Sequence, residues 1–269
     1  MRPVPAVQPD VAGRARGRQP APVPRPPASS SRASGEEAAA IVFASLEHGE
    51  GARFGVVGDS GTGKTHASRC LIEYYTRRAP GIVLVCDGKP GRSTFRGQQY
   101  AHPDELRARP PQPDPRVLVF RGDPWRRSPQ NPEDVAAFSW ELARLRVPSF
   151  LWVDELTDCA ENGRWSAGER DSRVRETFAK GRSVGISVGW GSQSPQDAPR
   201  AAFEQSSVIV CFRLAGRGLA ILEDRDYLLG GVRDVIPELP GDDVPPAERG
   251  VFVLLRRGRP WDGRFYRFG

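Results

Sequence analysis

The octapeptide Gly58–Thr65, GDSGTGKT, restricts the fold of this chain more than any other stretch. It fits the pattern G-x-x-x-x-G-K-[S/T] in full, after a short β-branched run, Arg53–Val57, and before a helical stretch, Lys64–Arg78. A glycine-rich turn between strand and helix lets backbone N–H groups converge on phosphate oxygens, and the helix N-terminus adds a favourable field. The pattern assigns Gly58, Asp59, Ser60, Gly61, Thr62, Gly63 and His66 to a nucleotide cradle. Lys64 is assigned to the β- and γ-phosphates, and the Thr65 hydroxyl to Mg²⁺.

The rest of the chain supplies strands of the right kind to surround that turn. Ile82–Cys86, Val117–Phe120, Phe150–Val153, Val184–Trp190 and Val208–Phe212 are short apolar runs. Helical stretches lie among them, at Glu36–Glu47, from an Asn131 N-cap to Arg146, and at Glu169–Lys180, and a long Arg- and Pro-rich connection spans Asp87–Pro115. Strands alternating with helices predict an α/β chain with a mostly parallel central sheet flanked by helices. Residues 251–268 read as two strands around a Gly-Pro turn, a C-terminal β-hairpin on an antiparallel edge.

A length of 269 residues suits one domain with a full core. The net charge of +6 is unevenly placed: residues 1–35 hold six arginines against Asp10, with much Pro, Ala and Ser. That segment reads as a disordered basic tail, leaving 36–269 as the folded domain. No apolar run reaches the ~20 residues of a membrane span. Cys70, Cys86, Cys159 and Cys211 form no CxxC pair, which suits reduced core thiols in a cytoplasmic protein. The three histidines are scattered, so zinc cannot be assembled by spacing and any metal chemistry is of the Mg²⁺–oxygen kind. Only Lys64, Lys89 and Lys180 stand against 36 arginines, and a compact ammonium is not interchangeable with a guanidinium fork.

Two further stretches carry chemistry. FLWVDE, Phe150–Glu155, is an apolar strand ending in paired carboxylates. Asp154 is placed to hold Mg²⁺, and Glu155 to act as general base on the water attacking the γ-phosphate. VGISVGWGSQSPQD, Val184–Asp197, is a buried strand followed by a lone amide, Gln193. Parallel strands present ligands at their carboxyl ends, so Gln193 falls beside Asp154, Glu155 and the glycine-rich turn, where an amide can sense the γ-phosphate.

Taken in order, these stretches resemble the FtsK–HerA superfamily of DNA-pumping ATPases. GSQSPQD is similar to that family's Gln-x-Pro-x-Asp segment, and VLVCDGKPG to its Asp-Pro-Lys segment, with Asp87 and Lys89 matching and Gly88 in place of Pro. KGRSVGIS resembles the stretch leading into the sensor strand, and IVCFRL, ending at Arg213 and Leu214, the strand after it. The resemblance covers about Arg53–Leu214 and implies a RecA-like P-loop NTPase of the ASCE type that binds ATP and Mg²⁺. It further implies a homo-oligomeric ring, most often a hexamer, around double-stranded DNA, with an arginine acting in trans. Arg182 is the first candidate, and Arg173, Arg175 and Arg213 are rivals. The compact size is most like the genome-packaging ATPases of tailless viruses with internal membranes, which implies a capsid or membrane-vertex partner and a place in the host cytoplasm or virion. A conjugation-type DNA-transfer ATPase and a P-loop NTPase on a non-DNA substrate are the other readings. No Asn-Lys-x-Asp guanine motif occurs, since Asn131 and Asn162 are the only asparagines. Arginines at 92, 96, 121, 126, 127 and 164 lie in loops suited to phosphate contacts, while Trp125, Trp165 and Trp261 suit packing.

Overall fold

A computed structural model describes residues 33–88, 93–108, 116–121, 130–161, 164–165 and 168–269. The strands are β1 (Ala33–Ser34), β2 (Arg53–Val57), β3 (Ile82–Cys86), β4 (Gln98–Tyr100), β5 (Val117–Phe120) and β6 (Ser149–Val153). They continue with β7 (Ala160–Glu161), β8 (Arg164–Trp165), β9 (Ile186–Ser192), β10 (Val208–Cys211), β11 (Val251–Leu255) and β12 (Tyr266–Arg267). The helices are α1 (Gly35–Val42), α2 (Lys64–Arg78), α3 (Glu105–Ala108), α4 (Gln130–Arg144), α5 (Gly168–Asp171), α6 (Arg173–Lys180), α7 (Arg200–Gln205) and α8 (Arg217–Asp224). Among the described residues, no helix is long and apolar enough to cross a membrane.

Ten strands form one sheet in the order β1-β12-β11-β10-β2-β9-β6-β3-β5-β4. From β10 to β4 every pairing is parallel, while β11 runs antiparallel to both β10 and β12. The central strands are buried throughout, as expected of a parallel sheet covered on both faces. Period-two alternation divides their side chains. Phe150 and Trp152 of β6 join Phe43, Leu71 and Tyr75 under α1 and α2. Leu151 and Val153 join Val135, Phe178 and Phe203 under α4, α6 and α7.

The glycines of β9 follow from this packing. A Cβ on Gly189 would stand 2.6 Å from the Phe54 ring and 2.7 Å from the Trp152 ring. On the other face the Trp190 ring lies where a Cβ on Gly55 would be, 2.6 Å away, and its indole N–H donates to Ser206 Oγ at 3.0 Å. Large aromatic residues of one strand thus occupy the space that glycine leaves on the next, which locks β2, β9 and β6 together.

Several expectations are corrected. Ala33–Ser34 pairs parallel with β12 and Gly35 opens α1, so the fold begins before residue 36; residues 1–32 lie outside the described residues. The C-terminal hairpin β11–β12 forms, but β1 rather than the hairpin makes the sheet edge. The helix read from Glu169 to Lys180 is two helices broken at Ser172, because that side chain accepts from Arg175 N at 3.0 Å and caps α6. Asn131 is not an N-cap: α4 starts at Gln130, and the Asn131 amide donates to Phe120 O at 3.4 Å. Strand β9 starts two residues later than read and runs to Ser192, which sets Gln193 directly at its end.

Candidate functional site

The order β2-β9-β6 brings three sequence stretches to one carboxyl edge. Val57 pairs with Ser192, and Val153 with Trp190, so the turn after β2, the end of β9 and the acids after β6 are neighbours. Between them lies a cavity of about 390 Å³. Ser60, Gly61, Gly63, Lys64, Thr65 and His66 line one side of it, and Asp154, Glu155, Gly191 and Gln193 the other.

The N-terminus of α2 opens into this cavity, bringing backbone donors that have no acceptor within the helix and its positive end. Lys64 Nζ is folded back onto the turn, donating to Gly58 O at 2.7 Å and Asp59 O at 2.6 Å. The remaining residues of the turn brace it. Asp59 N–H donates to Arg213 O at 2.8 Å, and the buried Thr62 donates its hydroxyl to Asp59 O at 2.8 Å. Gly63 has φ +109°, where other residues are strained, and a Cβ there would meet Gly250 Cα at 2.9 Å. Gly58, Asp59 and Thr62 therefore shape the turn from behind, while the other six predicted positions face the cavity.

On the acidic side, Asp154 is 7% exposed, and the Trp152 indole N–H donates to its Oδ1 at 3.4 Å. Glu155 is held at both oxygens, accepting from Thr157 Oγ1 at 3.0 Å and from Gln193 N at 3.2 Å. The exposed Gln193 side chain lines the cavity itself. Gly191 is required here, since a Cβ would sit 2.5 Å from the Asp154 carbonyl oxygen. The donor set suits Mg²⁺: the Thr65 hydroxyl and Asp154 carboxylate line one cavity and offer oxygen ligands only. Among the described residues no cluster of His, Cys, Asp and Glu offers a different metal site. Burial pushes the thiols of Cys86 and Cys211 up, so both stay protonated core groups; they and Cys70 are free cysteines.

Arg182 is not in this cavity. It belongs to the 3₁₀ turn Gly181–Val184 before β9, at the other end of a strand about 20 Å long, and pairs with Glu50 at 2.5 Å. Arg213 lies beside its own phosphate turn, ion-paired with Asp243 and, at 3.9 Å, with Asp242. Arg173 pairs with Glu176 at 2.6 Å on α6, where Arg175 is half-buried. Asp87 follows β3 without lining the cavity, and accepts from Ser93 Oγ at 2.5 Å. Lys89, Arg92, Trp125, Arg126 and Arg127 lie outside the described residues. Trp165 packs as expected, buried against Phe178 at 5.9 Å, and Trp261 meets Phe265 at 5.3 Å.

Sequence reasoning passed over two parts of this surround and one residue at the far end of the sheet. The segment 239–250 covers the turn, with Asp242 Cβ 2.9 Å from a Cβ on Gly61 and Gly250 N–H donating to Thr62 O at 3.2 Å. Nothing in its composition signals that role. Thr157 could have been found as the hydroxyl two residues after Glu155. Arg53 opens β2, 3% exposed, and donates to the carbonyls of Ala52, Thr177, Phe178 and Ile186 at 2.6–3.2 Å. Burial first, then the Arg182 charge, pulls its pKa down to about 9, so it remains a cation at neutral pH that fixes the end of α6 to the sheet.

No family model matches this sequence, and no curated protein matches it either. Solved structures do. A genome-packaging NTPase, B204 of Sulfolobus turreted icosahedral virus 2, in complex with sulfate, superposes with a TM-score of 0.58 at 13% identity, covering 81% of this chain and 96% of that one. The same protein is solved with AMPPCP. VirB4 of Thermoanaerobacter pseudethanolicus gives a TM-score of 0.52 at 10% identity, over 77% of this chain and 87% of that one. The pCW3 conjugation coupling protein TcpA gives 0.52 at 13% identity, over 80% of this chain and 59% of that one. At such identities the likeness is one of fold: this chain has the RecA-like α/β fold of these proteins.

Proposed function

We propose that this chain is a magnesium-dependent ATPase that moves double-stranded DNA, working as a ring of identical subunits to package a viral genome. The observation that carries this reading is the contact between Gln193 and Glu155 across one cavity with Lys64, Thr65 and Asp154. A phosphate turn alone fits kinases, switches and scaffolds. A carboxylate held beside the metal-side acid, with an amide next to it, fits hydrolysis.

Thr65 and Asp154 would hold Mg²⁺, which would supply charge neutralisation during phosphoryl transfer. The backbone N–H groups of the turn bind the phosphate chain, and the Lys64 ammonium exchanges its two carbonyl partners for phosphate oxygens. Glu155 takes a proton from water as the water oxygen bonds to the γ-phosphorus. The bond from that phosphorus to the β–γ bridging oxygen breaks, releasing phosphate and ADP. Gln193 donates to the γ-phosphate and reports its loss along β9. Arg182, remote from its own cavity, stabilises the transferring group in a neighbouring subunit.

The fold likeness to a packaging NTPase and to conjugation proteins supports a DNA substrate. Coverage of 96% of B204 with sulfate, against 59% of the conjugation coupling protein TcpA, supports the packaging branch over that protein. Duplex DNA, a six-membered ring and a capsid or membrane-vertex partner belong to this reading. The purified chain should hydrolyse ATP only with Mg²⁺ and faster with duplex DNA. Lys64→Ala and Glu155→Gln should each lower the rate about 10²–10⁴-fold, with Glu155→Gln still binding ATP. A protein that neither hydrolyses ATP nor binds duplex DNA in any nucleotide state overturns the reading.

A further inference from the structure

Arg53 and Arg225 both hold a guanidinium largely out of water, but only the first is satisfied. Arg53 gives its protons to four carbonyls. The Arg225 side chain is 14% exposed, and its Nε and Nη1 are buried without a hydrogen-bond partner among the described residues. Its one ion pair is loose, 3.5 Å to Asp224, a carboxylate 71% exposed. The guanidinium carbon stands 5.8 Å from the centre of the Phe203 ring, a face that attracts a cation but accepts no hydrogen bond of ordinary strength. Burial first, then the Arg200 charge, lowers the Arg225 pKa, so the fold carries this cation at a cost.

The place of Arg225 is fixed by the backbone around it. It caps α8, its N–H donating to Ile221 O at 3.1 Å. Asp226 follows with φ +60°, a conformation that a non-glycine residue keeps where its surroundings impose it. The Tyr227 hydroxyl donates to Phe203 O and Ser206 O, both at 2.8 Å, and Gly258 N–H to Asp226 O at 2.9 Å. An arginine at a helix C-terminus ordinarily serves the last carbonyls; Nε and Nη1 of Arg225 bond none of them.

Other cations gather here. Arg200 of α7 and Arg257 after β11 both act on Arg225 and on Glu204, and both are exposed. Of the acids nearby, Glu204 is paired with Arg200 at 2.5 Å and Glu223 with Arg233 at 3.3 Å. The stretches 200–206, 223–227 and 255–259 hold five arginines against four acids, and Arg233 adds a sixth. Positive charge is thus left over where a half-stripped guanidinium lacks a counter-ion. Contacts to a nucleic-acid backbone are made by such arginines on turns and helix ends. A protein partner would want an apolar centre, and Leu229, 40% exposed, is a single leucine in the neighbouring turn.

We propose that Arg200, Arg225 and Arg257 form a seat for a phosphate of the DNA backbone, on the sheet edge opposite the nucleotide cavity. Strands β2 and β10 are parallel; the phosphate turn follows β2, whereas Tyr227 binds the carbonyls that precede β10. The exposed Arg200 and Arg257 reach the phosphate oxygens, and Arg225 supplies a field that the surrounding protein screens less than water would. The seat rests on the DNA-moving part of the proposed function and not on the chemistry of the cavity.

A seat of this kind separates stability from binding. Arg225→Met keeps the packing over Phe203 and removes a buried cation that has no hydrogen bonds to lose. Its urea midpoint should equal or exceed that of the wild type, while Arg53→Met, which strands four carbonyls, should fall. Anisotropy of a fluorescein-labelled duplex titrated with the full chain reads binding, at several salt concentrations between about 50 and 200 mM. Arg225→Met should bind about tenfold more weakly, with a salt slope shallower by about one. Unchanged affinity and slope overturn the seat, and so does an affinity loss accompanied by a lower urea midpoint, which marks a structural role. A wild type that binds no duplex overturns the seat together with the DNA reading. ATP hydrolysis without DNA should be the same in Arg225→Met and wild type, so a failed seat is distinguishable from a failed ATPase.

Discussion

Glu155 and Gln193 are joined through the backbone of one and the side chain of the other. This determines what a substitution at Gln193 removes. Gln193→Ala keeps the N–H that holds Glu155 and deletes only the amide. Nucleotide affinity should therefore stay near wild type, while hydrolysis falls about 10²-fold. Equilibrium binding of a fluorescent ATP analogue and steady-state phosphate release check the two halves separately; undiminished turnover would remove Gln193 from the mechanism. At this scale the sequence was most informative where side-chain chemistry has a fixed spacing. Lys64, Thr65, Asp154 and Glu155 were placed from motif alone, and all four line the cavity. Arg53 was not legible, because a buried guanidinium satisfied entirely by carbonyls leaves no trace in a chain with 36 arginines.

Between elements, the clearest device is a carboxylate of one helix that caps another. Glu133, 5% exposed in the first turn of α4, accepts from Ser172 Oγ at 2.8 Å, from Val174 N at 3.0 Å and from Arg173 N. It satisfies the open N–H groups of α6 and meets that helix's positive end. Glu133→Ala should lower unfolding free energy by ~2–3 kcal/mol, since two buried donors lose their acceptor. Urea denaturation measures this, and a loss below ~0.5 kcal/mol would mean that water replaces the carboxylate. The reading of one helix over Glu169–Lys180 failed at Ser172, whose side chain caps α6 and is itself held by Glu133 of another helix. Strand β4, three residues in an Arg- and Pro-rich stretch, was missed because Gln98-Gln99-Tyr100 carries no apolar run. Strands β3 and β11 needed no tertiary information, being apolar throughout.

For the molecule as a whole, the distance between Arg182 and its own cavity makes a statement about partners. Arg182→Ala chains keep an intact cavity, and Lys64→Ala chains keep an intact Arg182. Each alone should be nearly inactive, yet equimolar mixing should restore about a quarter of wild-type hydrolysis, the share of contacts that pair a sound cavity with a sound arginine. Absence of restoration, or full activity in Arg182→Ala alone, would place the stabilising cation elsewhere. The parallel α/β plan was legible from alternating runs, and so was the approach of β9's end to the turn and the acids; its place between β2 and β6 was not. The cover formed by 239–250 was not, because a loop's resting place is set by the surface beneath it.

The insertion of β9 also fixes when a site can exist during synthesis. Strands β2 and β6 share no backbone pairing; each pairs with β9, which is made after both. A growing chain that has emerged as far as Glu155 already carries the phosphate turn and both acids, yet no backbone pairing holds them side by side. Nucleotide binding with the acids in place must wait for Ile186–Ser192 to thread the gap, a closure spanning 135 residues between Ala52 and Ser187. Half-made chains are thus kept from consuming ATP by topology alone.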